Sequence, residues 1–380
     1  MSRTLLVVDD DKSLNLFCDR WLGAFDGAEM ALDIEEDREY GYRATVALIQ
    51  LSLDTHDFIL DPVLLHPGAL DPVVEALCLT TGRMIMHGCN NDVTGLKRDF
   101  GVGPASMVDT QVAARFLGSQ RFGLAGLLDD YFGIRLNKDV RRSNWRLRPL
   151  QHRLLEYARE DTAHLVPLWR TLEAECEAAG WMDAVHEECQ ALADLRAESL
   201  DFDPEGWRRF KGLKDLDRDT LARLAALWEW RDGVGARMDR HPSRVMAPWA
   251  MIQLAERGVD ALNRGIPQGL EPSIYVMEEQ DLRDLLRSAR AVAPLEGVSR
   301  RDKPSLSSAA FQLRVERLNL WRETTAQATG LEPGWLAPRT VLENLARLED
   351  VTPDAIACID GVRKWRLDRY LDDWLRLLHT

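Results

Sequence analysis

Acidic side chains that could bind metal ions lie close to one of the most apolar stretches of the chain. Asp33, Glu35, Glu36 and Asp37 come shortly before the apolar segment 46–51. Burying an unpaired carboxylate is unfavourable, and clustering several carboxylates is more so unless a cation neutralises them. These acids therefore either face solvent at the end of a strand or hold metal.

Side-chain alternation separates the four acids into two pairs. On a strand, residues i and i+2 point to the same face, so Asp33 and Glu35 project together. The intervening Ile34, with Leu32, faces the other side and a hydrophobic core. The next two acids fall where the strand ends, and we expect them to face solvent. Asp33 and Glu35 are the candidate ligands, although an Asp-x-Glu pair also arises by chance in so acidic a chain.

Two later segments carry residue types suited to the same chemistry. Asp92 falls in the first turn of a predicted helix that follows a predicted strand. Tyr157 and Asp161 are four residues apart on a late helix and therefore share one face. Taken singly, each has an ordinary structural explanation. Asp92 suits the positive end of the helix dipole, and Tyr157 suits a core position beside a surface aspartate.

The elements around these residues predict an α/β unit with an antiparallel beginning. Short links between the first three strands favour a meander. Asn90 or Asn91 is the expected cap of the Asp92 helix, and Gly101 its expected end. Strands are predicted at 29–35, 44–53, 57–62 and 82–88, and helices at 90–100, 106–118, 123–133 and after Pro149 almost to Gly180.

The second half of the chain carries a repeated all-α pattern. Strand signals disappear, and residues 216–258 have the pattern of a helix, a loop and a second helix. A looser copy occupies 313–348, in which Trp321-Arg322 corresponds to Trp230-Arg231. We interpret this similarity as an internal duplication of a small helical module.

Composition limits the broad class of protein. The 380 residues are 46% hydrophobic and 29% charged, which is typical of a globular protein with two or three domains. No apolar run approaches the ~20 residues of a membrane helix, the first residues do not resemble a signal peptide, and the six cysteines are scattered. We therefore predict a cytoplasmic protein with reduced thiols. The net charge of -14 argues against a polyanion-binding surface over the whole molecule, but 138–153 and 207–214 are locally basic.

Taken together, the acidic segments follow an order that resembles a known family. Asp-x-Glu on a strand, Asp at a helix start and Tyr-x-x-x-Asp on a late helix form the pattern of the DEDDy 3′-5′ exonucleases. Segments 32–51, 107–118, 136–168 and 207–231 resemble bacterial ribonuclease D in order and spacing. The two helical copies look like the HRDC (helicase and ribonuclease D C-terminal) domains of that family.

The resemblance implies a fold class and domain boundaries. The expected fold is an α/β ribonuclease H-like exonuclease domain, with a mixed five-stranded sheet and flanking helices, followed by two small all-α HRDC-type domains. The expected boundaries are 1–204 for the exonuclease domain, 205–293 for the first HRDC domain, 294–306 for a linker and 307–380 for the second HRDC-like domain.

The resemblance also implies an activity. It is that of a metal-dependent 3′-5′ exoribonuclease that releases nucleoside 5′-monophosphates, matures tRNA 3′ ends and trims structured RNA. Two Mg²⁺ or Mn²⁺ ions per site would serve as cofactors, because these hard cations prefer oxygen ligands. RNA is the expected partner, and the family implies a monomer. The implied metal ligands are Asp33, Glu35, Asp92 and Asp161, and Tyr157 would orient the attacking water.

Basic residues upstream of the late helix are candidates for substrate binding. Lys138, Arg146 and Arg148 could contact phosphates, since guanidinium groups suit phosphate oxygens. Arg148 could instead shape the start of the helix together with Pro149. The chain also departs from the usual Asp-Thr-Glu-aromatic motif of the family, because Ile34 replaces the threonine and Glu36 the aromatic residue. Glu36 cannot make the aromatic contact to the terminal nucleotide that the resemblance would otherwise imply.

Two other functions fit part of the pattern. A DNA exonuclease would use the same acids, although the sequence has no Gly-x-x-x-x-Gly-Lys-Ser/Thr motif of a helicase. A non-catalytic RNA-binding scaffold would rely on the helical modules alone. The scaffold is disfavoured, because such a protein gains nothing from a self-repelling cluster of carboxylates.

Overall fold

The computed structural model describes residues 3–136, 143–197, 199–289 and 309–379. These residues form two compact units. Unit one contains the described residues of Met1–Glu35, Val46–Glu198 and Pro304–Thr380, and unit two those of Glu36–Thr45 and Ser199–Lys303.

A mixed six-stranded sheet is the framework of unit one. Its strands are β1 (Thr4–Val8), β2 (Glu29–Asp37), β3 (Thr45–Leu53), β4 (His56–Leu60), β5 (Arg83–Met86) and β6 (Met107–Asp109). The strand order is β1-β4-β3-β2-β5-β6. Strand β1 is parallel to β4, β3 is antiparallel to β4, and β5 is parallel to both β2 and β6.

The predicted mixed sheet is confirmed, but the predicted count of five strands is wrong. Neither β1 nor β6 is among the four strands predicted from the pattern, and β6 has only three residues and leads directly into a helix. A segment this short shows no alternation of its own, so its apolar residues merge with the helical periodicity that follows.

Eight helices lie in the part of unit one that precedes residue 198. The predicted end of α3 is confirmed by Gly101, whose φ of 71° is left-handed. The predicted cap at Asn90 or Asn91 is wrong, because the helix begins at Asn90 with no side-chain cap on its first turn. The helices are α1 (Asp11–Arg20), α2 (Asp71–Cys78), α3 (Asn90–Phe100), α4 (Thr110–Phe116), α5 (Leu124–Phe132), α6 (His152–Ala163), α7 (Leu165–Ala178) and α8 (Met182–Ala193).

The C-terminal helical module is part of unit one. Its helices share one hydrophobic core with α4, α5, α7 and α8. Phe116 on α4 lies 5.2 Å from the ring of Trp365 and 5.3 Å from that of Trp181, which is itself 6.1 Å from Trp365. The module consists of α13 (Ala309–Thr329), α14 (Pro333–Leu336), α15 (Arg339–Arg347), α16 (Pro353–Ala357) and α17 (Lys364–His379), numbered after the four helices of unit two.

The described residues of unit two form helices and loops, apart from the segment that follows Glu35. Within this unit the Tyr42 hydroxyl donates to Asp232 at 2.5 Å, and the His241 amide donates to the Tyr40 carbonyl at 3.2 Å. The segment Glu36–Thr45 is thereby held to the helices of unit two. These helices are α9 (Arg218–Arg237), α10 (Pro242–Val245), α11 (Pro248–Arg257) and α12 (Pro272–Ser288).

Candidate active site

Strand β2 presents two carboxylates on one face of the sheet. Leu32 and Ile34 are buried in the core on the opposite face, as the alternation predicted. Asp33 and Glu35 are half-buried. The strand therefore places the two acids side by side, with an apolar anchor between them that fixes the direction in which they point.

Helix α6 covers this part of the sheet and contributes a third carboxylate. Ala158 and Thr162 are buried on α6, and Asp161 shares their face of the helix because residues i, i+3 and i+4 line up. The Ser52 hydroxyl on β3 and the Thr162 hydroxyl are hydrogen-bonded at 2.8 Å. This bond and the packing of Ala158 on Leu48 fix the helix against the strands.

The two elements bring three predicted acids together. Ligand oxygens of Asp33, Glu35 and Asp161 all lie within 4.8 Å of one another. Three carboxylates this close repel one another strongly unless protons or cations intervene. An all-oxygen, half-buried donor set suits a hard divalent cation such as Mg²⁺ or Mn²⁺, so these residues fit the metal that the sequence pattern implies.

Asp92, the fourth predicted ligand, lies apart from the other three acids. It is in the first turn of α3, 9% exposed, and it is not part of the close group of three. Its helix follows β5, which pairs in parallel with β2. The ends of these two strands therefore bring Asp92 towards the acids of β2, and its role as a fourth ligand stays a prediction.

A buried aspartate that sequence reasoning missed organises the loop before α3. Asp109 is 1% exposed, and its carboxylate accepts hydrogen bonds from the amides of Gly88 and Cys89, both at 2.9 Å. The same carboxylate accepts from the amides of Gln111 at 2.7 Å and Val112 at 3.4 Å, which caps α4. The signal in the sequence was an aspartate between a short apolar run and a helix, which is a common capping pattern.

The surroundings of Asp109 are unsuited to further charge. Burial is the main reason that the pKa of the Cys89 thiol is raised well above its usual value, and the negative charges of Asp109 and Asp92 raise it further. The Cys89 thiol therefore stays neutral at physiological pH. A neutral thiol beneath the α3 loop adds no competing charge to the acid site.

Tyr157 lies one turn before Asp161 on α6. The ring is half-buried and packs near the buried Trp145 ring, at a centroid distance of 6.1 Å and an interplanar angle of 33°. Because i and i+4 share a helix face, the phenol is on the side of α6 that carries Asp161. Packing against Trp145 restricts the ring and so limits where its hydroxyl can point.

The three predicted phosphate-binding residues have different surroundings. Lys138 lies outside the described residues. Arg146 is half-buried, and its backbone amide donates to the Asn144 side chain at 3.0 Å. Arg148 forms a buried ion pair with Asp61 through two bonds of 2.5 and 2.6 Å and also donates to the Ala47 carbonyl at 2.9 Å. These contacts favour the alternative role of Arg148 in shaping the start of α6.

Solvent exposure was the wrong prediction for the two acids at the end of β2. Asp37 is 2% exposed and accepts hydrogen bonds from the amides of Glu39, Tyr40 and Gly41 at 3.1, 2.8 and 2.7 Å. The Glu36 carboxylate, 7% exposed, pairs with Arg38 at 2.6 Å. The strand ends in a tight turn, and these carboxylates satisfy its donors instead of facing water.

Comparisons with known proteins relate the chain to 3′-5′ exonucleases. A family model described as 3′-5′ exonuclease matches residues 6–177, and the HRDC domain model matches residues 312–378. The chain is 28% identical to Haemophilus influenzae ribonuclease D over 354 residues, 90% of this chain and 84% of that protein. It is 32% identical to Escherichia coli ribonuclease D over 205 residues, which is 53% of each.

The fold is also found among solved structures. That of the Escherichia coli RNase D, an exoribonuclease involved in structured RNA processing, aligns with a TM-score of 0.67 over 100% of this chain and 99% of that one, at 22% identity. A protein from Bifidobacterium adolescentis aligns with a TM-score of 0.79 over 100% of both chains, at 21% identity. Among the described residues, no helix is both long and apolar enough to span a membrane.

Proposed function

The chain belongs to the ribonuclease D-like family of 3′-5′ exonucleases, and from this membership we propose that it hydrolyses RNA from the 3′ end and releases nucleoside 5′-monophosphates. The observation that carries the proposal is the convergence of Asp33, Glu35 and Asp161, which come from a strand and a distant helix. Half-buried carboxylates at this separation are unfavourable without a cation, so a metal-binding role accounts for their arrangement.

The acid residues would hold two Mg²⁺ or Mn²⁺ ions. When bound, such ions activate water and stabilise the charge that develops on phosphate and on the leaving oxygen. Asp33, Glu35 and Asp161 supply hard oxygen ligands, and Asp92 would complete the set from the start of α3. The sheet and α6 keep these ligands in place before substrate arrives, which reduces the reorganisation needed for the reaction.

Tyr157 would hold the attacking water in line with the phosphate. A phenol hydroxyl both donates and accepts hydrogen bonds, which suits the orientation of a water molecule. Its ordinary pKa is about 10, so an orienting role is favoured over removal of the proton at neutral pH. The packing of the ring on Trp145 supports this assignment, because an orienting group must itself be fixed.

Positive side chains near the start of α6 would position the substrate. Arg146 is the described candidate, and Lys138 a further one from the sequence. Contacts of this kind fix the register of the phosphate backbone without reading its sequence. We assign Arg148 to structure, because its guanidinium group is already bonded to Asp61 and to backbone carbonyls.

RNA is proposed as the substrate over DNA, and tRNA precursors as one natural class. The support is the similarity to proteins named ribonuclease D, and Glu35 is the residue that we place near the terminal ribose. A 2′-hydroxyl is the group by which such a site can distinguish RNA from DNA. We further propose that the protein is a monomer and that it is cytoplasmic, and its six free cysteines agree with a cytoplasmic location.

The test is a decay assay with 3′-extended RNA and a matched DNA oligomer in Mg²⁺ or Mn²⁺. Asp161→Asn and Asp33→Asn should each lower the rate at least about 10²-fold, because each removes one charge from the ligand set. Asp19→Asn, an exposed residue on α1, is the matched control and should keep the wild-type rate. Wild-type rates for both site variants would overturn the assignment, and faster decay of DNA would favour the DNA exonuclease.

A further inference from the structure

A buried amide beneath the catalytic helix has no part in the function described so far. Gln50 on β3 is 0% exposed. Neither its Nε2 nor its Oε1 has a hydrogen-bond partner in the described part of the protein. Buried polar groups are almost always hydrogen-bonded, so this one requires an explanation.

The direction of the Gln50 side chain follows from its neighbours along the strand. Leu48 lies in one hydrophobic cluster with Ala158 of α6, and the hydroxyls of Ser52 and Thr162, the latter on the same helix, are hydrogen-bonded at 2.8 Å. Residues two apart on a strand point to one face, so Gln50 projects between them towards α6. Ile49 and Leu51 pack in the core on the opposite face.

Two elements next to the Gln50 side chain, β2 and α6, carry the acids of the cluster. Strand β2, which carries Asp33 and Glu35, is the immediate neighbour of β3 in the sheet. Helix α6, which lies over Gln50, carries Asp161 beside Thr162. The ligand oxygens of these three acids lie within 4.8 Å of one another. The amide is thus flanked by the strand and the helix that supply the cluster.

We propose that Gln50 is a positioning residue of the acid cluster, whose Nε2 donates a hydrogen bond to one of the ligand carboxylates when a divalent cation is bound. The proposal rests on the proposed function, because it assigns a role towards the metal. A carboxylate that binds a cation through one oxygen keeps lone pairs that can accept from an amide. Groups that orient metal ligands in this way typically change metal affinity 10- to 100-fold when removed.

If Gln50 orients the ligands, substituting it should weaken cation binding without lowering the stability of the metal-free protein. Removing a buried group that has no partner in the metal-free protein takes nothing from its stability, since no bond is lost. Removing a group that orients ligands weakens cation binding. A residue that only fills space would behave in the opposite way, with lower stability and unchanged metal affinity.

The experiment compares Gln50→Met with wild type and with Leu48→Met, on the full chain. Leu48→Met places the same side chain on the same face of β3 without removing an amide, and controls for packing. Mn²⁺ affinity is measured by calorimetric titration, and the unfolding midpoint is measured in EDTA. We expect Gln50→Met to raise the Kd for Mn²⁺ 10- to 100-fold with an EDTA midpoint at or above that of wild type, while Leu48→Met keeps the wild-type Kd within twofold.

The outcomes test the role of Gln50 and the proposed function separately. If wild type binds Mn²⁺ and Gln50→Met binds it within twofold of wild type, the role of Gln50 is refuted and the proposed function stands. If wild type shows no saturable Mn²⁺ binding, the proposed function fails, and this inference fails with it. Gln50→Leu serves as a second variant, and a loss of folding in both variants would assign Gln50 to packing.

Discussion

Substituting Asp109 tests how the loop that leads into α3, the helix of Asp92, is held. One carboxylate oxygen accepts from Gly88, Gln111 and Val112, and the other accepts from Cys89. Gly88 has a φ of 65°, a left-handed conformation in which the turn presents both loop amides to the carboxylate. The change Asp109→Asn keeps size and shape but replaces one acceptor oxygen by an NH₂ group.

The expected loss of stability in Asp109→Asn follows from these hydrogen bonds. Asn can keep its oxygen towards three of the amides, but its NH₂ group then faces the Cys89 amide, so one buried donor loses its acceptor. That loss is about 1–3 kcal/mol. The three bonds that remain lose their charge assistance, which roughly halves their strength. Because effects within one network do not add simply, we expect a total loss of about 3 kcal/mol in the free energy of unfolding.

The measurement is urea unfolding in EDTA, so that cation binding does not contribute. Asp10→Asn is the control, since Asp10 caps α1 at the surface, with its carboxylate 2.7 Å from the Ser13 amide, and Asn caps helices equally well. The control midpoint should not move. A loss below about 1 kcal/mol for Asp109→Asn would refute the view that this carboxylate holds the α3 loop.

Three other predictions concern the site, its support and its thiols. Tyr157→Phe should lower the rate of RNA hydrolysis about 10²-fold while Mn²⁺ affinity is unchanged, and an unchanged rate would make the tyrosine a packing residue. Arg148→Met should lower the free energy of unfolding by about 3–5 kcal/mol, because it leaves the buried Asp61 carboxylate without its cation, and the KM of the folded variant for RNA should stay near the wild-type value. A large rise in KM with unchanged stability would instead support the phosphate-binding role of Arg148. Burial raises the pKa of the Cys176 thiol from 9.0 to about 12, so a thiolate-directed reagent at pH 8 should modify the exposed Cys358 well before Cys176, as mass spectrometry would show. The stability that comes from keeping Cys176 neutral should be full below pH 9.0 and be lost as the pH rises towards about 12, which unfolding midpoints measured across that range would show.

The parts of the site that depend on local geometry were predictable from the sequence. Alternation along β2 separated Asp33 and Glu35 from Leu32, and helical spacing placed Tyr157 and Asp161 on one face. Both rules concern residues a few positions apart. Their convergence in space followed from resemblance to a family, because periodicity alone does not say which helix packs on which strand.

The parts that depend on distant partners were not predictable. The sequence leaves Arg148 between phosphate binding and a role at the helix start, since nothing near it in sequence indicates Asp61, 87 residues away. Asp37 was assigned to solvent, because a turn that uses its carboxylate looks the same in sequence as an exposed strand end. Gln50 passed unnoticed within an apolar strand, as its significance lies only in what covers it.

The joint core of the nuclease helices and the C-terminal module bears on how the protein is made. Phe116 and Trp181 acquire their Trp365 neighbour only after α17 has been synthesised. During synthesis these two rings therefore lack this contact until α17 emerges from the ribosome, so the packing of unit one is completed only after α17 has been translated.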